Sequence, residues 1–199
     1  MSKKFPVVFF LMLFAASMLA QSRESATSGP VTLSAGIEIS TFNPDWGCLN
    51  ASAFSCWNGH LLGLAALADA NHVWRGLGVE GEARWLHWQG PGQGLMESSY
   101  LAGPRYPLYR KRSFGFYAKA LFGEGRITRP LNLGSGSYFA IAPGGTVEYG
   151  ITPRVTVRAE YEYQFWPSFQ GLPGEPKNGL TPNGFSFGVS YRLPGVKAG

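Results

Sequence analysis

Two pairs of carboxylates stand two residues apart, Glu80 with Glu82 and Glu160 with Glu162, and each pair lies close to an arginine, Arg84 or Arg158. Paired carboxylates run general acid–base chemistry when their surroundings hold one protonated and the other ionised. Three histidines, His60, His72 and His87, together with Ser98 and Ser99, raise a second chemistry, a serine nucleophile served by a histidine base. A third candidate is the Gly-rich stretch Leu133 to Ser137, but it lacks the lysine of a phosphate-binding loop. Every one of these readings depends on which elements carry the residues.

The spacing points to strands. From Val155 to Phe165 every odd position is apolar or aromatic (Val155, Val157, Ala159, Tyr161, Tyr163, Phe165). The even positions between them are Thr156, Arg158, Glu160, Glu162 and Gln164. A period of two is a strand with two unlike faces, one of them fully charged. Alternate residues on a strand share a face, so the carboxylate pairs meet basic residues on neighbouring strands more simply than they meet a substrate.

The chain ends place the protein outside the cytoplasm. Lys3 and Lys4, an apolar run from Val7 to Leu13 and small residues at Ala15, Ala16, Ser17 and Ala20 form a secretory signal peptide over residues 1–20. The mature domain is then 21–199. Removing Lys3 and Lys4 leaves 15 basic against 12 acidic residues, too weak a bias for nucleic acid. Charged residues make up 15% of the chain, against about 25% in ordinary soluble domains. A lipid-facing belt accounts for that shortage. In an exported chain the close pair Cys48 and Cys56 reads as a disulfide, and two thiols are too few for zinc.

Eight strands can be traced. They lie near Val31 to Ser40, His60 to Ala68, Leu77 to Trp88, Ser98 to Tyr106, Phe114 to Phe122, Tyr138 to Tyr149, Val155 to Phe165 and Phe185 to Leu193. The second is rich in Leu and Ala. Pro104 and Pro107 predict a bulge or early end in the fourth, and Pro143-Gly144-Gly145 a kink or bulge in the sixth. Long connections follow strands one, three, five and seven, and short ones follow two, four and six. Trp85, Trp88, Phe122, Phe139, Phe165 and Trp166 are predicted near one set of strand ends. Trp74, Tyr106, Phe114, Tyr149 and Tyr191 are predicted near the other. Two aromatic belts mark two water–lipid interfaces.

The chain resembles the small eight-stranded outer-membrane β-barrels of the OmpA-like transmembrane family over Val31 to Leu193. The resemblance rests on the signal peptide, the strand pattern, Gly103-Pro104-Arg105-Tyr106 and the aromatic last strand Phe185 to Leu193. It departs in having Leu193 and a short tail where relatives end on phenylalanine. It implies an all-β, antiparallel up-and-down transmembrane barrel in a bacterial outer membrane, no cofactor, and partners in the barrel assembly machinery and membrane lipid. The inward face then carries Glu38, Glu80, Glu82, Glu148, Glu160 and Glu162 against Arg84, Arg105, Lys119, Arg158 and Arg192, six acids and five bases. So narrow a barrel is filled by side chains, and buried charges must pair. The expected protein is a plugged, non-enzymatic barrel presenting four extracellular loops to a ligand. The alternatives are a small porin-like channel and an enzyme acting on outer-membrane lipid. Barrel-type lipid A deacylases carry a His-x-Ser pair; here Leu62, Trp74 and Gln89 stand two residues after the histidines.

Overall fold

The computed structural model describes residues 31–45, 60–88, 95–128, 135–169 and 179–194. Among these, eight antiparallel strands pair in chain order, and the last closes on the first to complete a barrel. They are β1 (Thr32–Asn43), β2 (Leu61–Trp74), β3 (Leu77–Trp88), β4 (Met96–Lys111), β5 (Phe114–Thr128), β6 (Ser135–Gly150), β7 (Val155–Tyr163) and β8 (Asn183–Arg192). Both described chain ends and all short turns lie at one end of the barrel; the strand ends that flank the four long connections lie at the other. The short turns face the periplasm in outer-membrane barrels.

The alternation resolves with the apolar face outward. Along β8, Phe185, Phe187, Val189 and Tyr191 are exposed while Ser186 and Ser190 are buried. In β7, Tyr161 and Tyr163 are exposed while Arg158, Glu160 and Glu162 are buried. Ile37 and Ile39 are each 65% exposed, flanking Glu38 at 1%. Only a lipid environment makes that arrangement favourable, because it removes the apolar wall from water and leaves the charges enclosed. Exposed aromatics gather at both rims. Trp74, Tyr106, Tyr109, Phe114, Tyr149 and Tyr191 ring the turn end, and Trp85, Tyr100, Phe139, Tyr163 and Phe165 the loop end. Trp88 belongs to the predicted belt, but its side chain lies outside the described residues.

Several strands differ from the sequence expectation. β2 runs on to Trp74, because barrel pairing with β1 and β3 overrides the weak strand preference of its Ala-rich segment. Its far end carries an irregularity between Ala70 and Trp74, with His72 at φ 63°, before a two-residue turn at Arg75 (φ 49°) and Gly76 (φ 84°). Two successive positive φ values suit the right-handed twist of a hairpin. β4 runs on through Pro104 without an early end, and it carries the expected bulge between Pro107 and Tyr109. No bulge forms at Pro143-Gly144-Gly145. β6 keeps one register with β5 from Ser135 to Tyr149. On its other side the continuous ladder to β7 ends at Gly144, next to Pro143, which has no N–H to donate, and the isolated pair Ile141↔Phe165 keeps the register of Gly144↔Glu162.

Candidate functional site

The lumen is packed with side chains, and its chemistry changes along the axis. At the turn end, Arg105 places one nitrogen 2.6 Å from Asp69 and another 2.6 Å from Glu148, with its guanidinium 4.1 Å above the Tyr117 ring. One layer higher, Arg158 reaches Glu38 at 2.7 Å, Glu160 at 2.9 Å, Glu80 at 3.2 Å and Asp69 at 3.3 Å. The Lys119 ammonium lies 2.6 Å from Glu160, 2.9 Å from Glu82 and 3.0 Å from both Glu80 and Glu162. Arg84 ends the ionic stack, 2.7 Å from Glu82 and 2.7 Å from Glu162, and lies 4.2 Å over the Phe42 ring.

Above Arg84 the lumen turns apolar. Phe42, Leu61, Leu86, Leu101, Leu121, Ile127, Ala140 and Ala142 fill it, all buried. The segment after β7 folds back over them. Trp166 pairs with Leu180, its backbone N–H donating to the Leu180 carbonyl at 2.8 Å. Its indole is fully buried and stacks on Tyr138 at 6.3 Å, while Phe169 meets Tyr138 edge-on at 5.2 Å. The indole N–H donates to Gln164, whose amide donates to Glu162, each at 2.8 Å. The apolar cap is thus tied to the ionic stack. Gly125 makes the cap possible, since a Cβ there would fall 2.3 Å from the Trp166 ring.

Ten of the eleven charged residues predicted inward come together here: Glu38, Glu80, Glu82, Arg84, Arg105, Lys119, Glu148, Arg158, Glu160 and Glu162. Arg192 does not join them. It has the inward phase but sits on the last residue of β8, where the lumen opens, and it is exposed at the mouth. Asp69 takes its place in the network; the phase of Leu61, Ala65 and Leu67, continued one step, would have found it. The near balance expected from sequence therefore becomes seven carboxylates around four cations. Trp166 also departs from expectation. It shares the even, inward phase of Glu160, Glu162 and Gln164, and so it caps the lumen instead of joining the lipid-facing belt. Glu97 was missed as well. It is 2% exposed in the apolar half, and among the described residues nothing donates a hydrogen bond to either of its oxygens.

The residues singled out for chemistry are spread along the barrel. Oxygens of Glu38, Glu82 and Glu160 converge within 4.8 Å of one another. Each of these carboxylates is already paired with a cation, Glu38 with Arg158, Glu160 with Lys119 and Glu82 with Arg84. His60 and His87 lie at the loop end and His72 at the turn end. His87 and Ser98 share a small cleft of about 180 Å³ with Glu97 and Arg126, but no hydrogen bond joins histidine to serine among the described residues. Ser99 is buried on the opposite, inward face. Cys48, Cys56 and the Leu133 to Gly134 part of the Gly-rich stretch lie outside the described residues.

A model of the outer membrane protein beta-barrel domain matches residues 8–192. The chain belongs to that family. This outer-membrane barrel is similar in fold to Neisserial surface protein A, at 14% identity and a TM-score of 0.57, covering 82% of this chain and 97% of that one. It is also similar to OprG of Pseudomonas aeruginosa, at 11% identity and a TM-score of 0.51, covering 82% and 96%. Ail, the attachment invasion locus protein of Yersinia pestis, aligns at 17% identity with a TM-score of 0.47 over 84% of this chain and 100% of that one. No curated protein matches this sequence. The outer-membrane barrel fold places the protein in the bacterial outer membrane, with its ionic lumen shielded from lipid by the strand wall.

Proposed function

We propose that this outer-membrane barrel is a closed scaffold that presents its four long connections to a partner outside the cell. The observation that carries the reading is the doubly filled lumen. Ionic side chains occupy the turn-side half, and an apolar plug under Trp166 occupies the loop-side half. A rigid scaffold with variable loops is a common way to build recognition. We read residues 1–20 as a cleaved signal peptide, Cys48 and Cys56 as a disulfide stiffening the first loop, and Phe185 to Leu193 as the strand met by the barrel assembly machinery. Outer-membrane lipid is the surrounding partner.

The decisive experiment is planar-bilayer recording on the refolded mature chain. The closed scaffold gives no steady open events; regular large openings would make it a small pore instead. We also read the barrel as non-enzymatic: among the described residues its histidines are not joined to a nucleophile. Mass analysis of lipid A with and without expression should show identical species. A new deacylated or modified form would replace this reading with a lipid-modifying enzyme.

A further inference from the structure

The turn-side mouth holds a second, differently built feature. A concavity of about 380 Å³ opens there, and Arg110, Arg112 and Arg192 line it together with Ser113, Phe114 and Ile151. None of the three arginines makes an ion pair among the described residues. Glu148, the acid on the same lining, is held by Arg105 at 2.6 Å.

The arginines do not converge by accident of composition. In β4 an even position faces lipid, as Tyr100, Ala102 and Tyr106 do. The bulge between Pro107 and Tyr109 slips the register by one, so Arg110 pairs with buried, inward Gly115 and lines the mouth. Bulges commonly re-aim a side chain in this way. Irregular pairing in β2 brings His72 to the same place, where its Nε2 lies 2.9 Å from Arg110. Arg112 stands at φ 52° in the turn between β4 and β5, and Arg192 ends β8.

We propose that this mouth binds the phosphate group of an anionic phospholipid in the inner leaflet of the outer membrane. Guanidinium groups present planar, paired donors that match phosphate oxygens. Concave walls of low dielectric concentrate their field on one anion. The location selects a lipid over a soluble anion. The concavity lies on the saddle formed by Ser113, Phe114, Gly150 and Ile151. Phe114 and Ile151 are also on the apolar exterior, 41% and 60% exposed. A headgroup crossing this saddle keeps its acyl chains on the barrel wall, level with the turn-end belt of Trp74, Tyr149 and Tyr191.

The test is native mass spectrometry of the refolded full mature chain, released from micelles containing phosphatidylglycerol or phosphatidylcholine. The wild type should retain phosphatidylglycerol preferentially. The triple variant R110Q/R112Q/R192Q should lose that retention by about tenfold or more, given the attraction of each basic side chain to an anionic headgroup. A charge-matched control, R75Q/K111Q/R154Q, removes rim cations outside the concavity and should lower retention by less than about threefold, as expected of screened surface charge. Equal loss in the two variants, or equal retention of the two lipids by the wild type, overturns the proposal. Saturation of the mouth by inorganic phosphate without any lipid preference overturns the lipid assignment. Heat-dependent gel mobility verifies folding, and R112Q alone, on an exposed turn, carries the test if the triple variant does not refold.

Discussion

The two halves of the lumen solve the same filling problem by opposite means. The turn-side half uses four cations to hold seven carboxylates, every one fixed by direction and distance. The loop-side half uses Leu, Ile, Phe and Ala packed without direction under a tryptophan lid. The ionic half is intolerant of losing a cation, because each cation serves several acids and a buried charge left unpaired is costly. The apolar half tolerates change in proportion to the volume removed. A directional network specifies one arrangement, whereas a greasy plug only excludes water.

The sharpest way to break this contrast is to remove a shared cation. Arg158→Leu strands Glu38, Glu80 and Glu160, and should destabilise the barrel by about 3–5 kcal/mol. Urea unfolding in lipid vesicles would measure it, and a loss near zero would mean that the network is ornamental. Removing the lid comes next. Trp166→Ala opens a cavity over Leu180 and Tyr138 and should cost about 3–5 kcal/mol, at the lower end if the plug relaxes into the space. Tryptophan fluorescence during the same titration should lose its buried component.

A subtler change tests the lid from the opposite wall. Gly125→Ala puts a methyl against the Trp166 ring and should cost about 1–3 kcal/mol through overpacking. Glu97 offers a change of opposite sign. It is an acid with no hydrogen-bond donor among the described residues of the apolar half, so Glu97→Met, an apolar side chain of similar length, should stabilise the barrel by about 1–2 kcal/mol, the relief of an unsatisfied buried group. Destabilisation by Glu97→Met would show that the carboxylate has a partner in the folded barrel. The smallest effect belongs to Arg192→Gln, which should leave the unfolding midpoint unchanged, since Arg192 lies outside the network.

Much of this was legible in advance because a strand wall has a period of two. Val155 to Phe165 declares both faces without any neighbour, and so do Phe185 to Leu193 and Phe114 to Phe122. The inward acids and bases fall out of phase alone. The gradient from ionic to apolar was also written there, in Leu86 two places beyond Arg84, Leu121 two beyond Lys119 and Phe42 four beyond Glu38. A leucine in the inward phase is locally ambiguous, since an apolar side chain suits lipid and a dry lumen equally, whereas a charge suits only the lumen. Asp69 was hidden by the Ala-rich run of β2, whose composition suits a helix as well as a strand.

What the sequence alone determined is the wall: the number of strands, their faces, the belts and the enclosure of charge, because pleat geometry is local. What only the tertiary structure decided is which charges meet, where the lumen ends and which aromatic becomes its lid. Those depend on register around a closed ring, and on bulges such as Pro107/Tyr109 that reverse a face. Partners such as Arg84 and Glu162 lie 78 residues apart, and no local pattern encodes a distance that exists only once the barrel has closed.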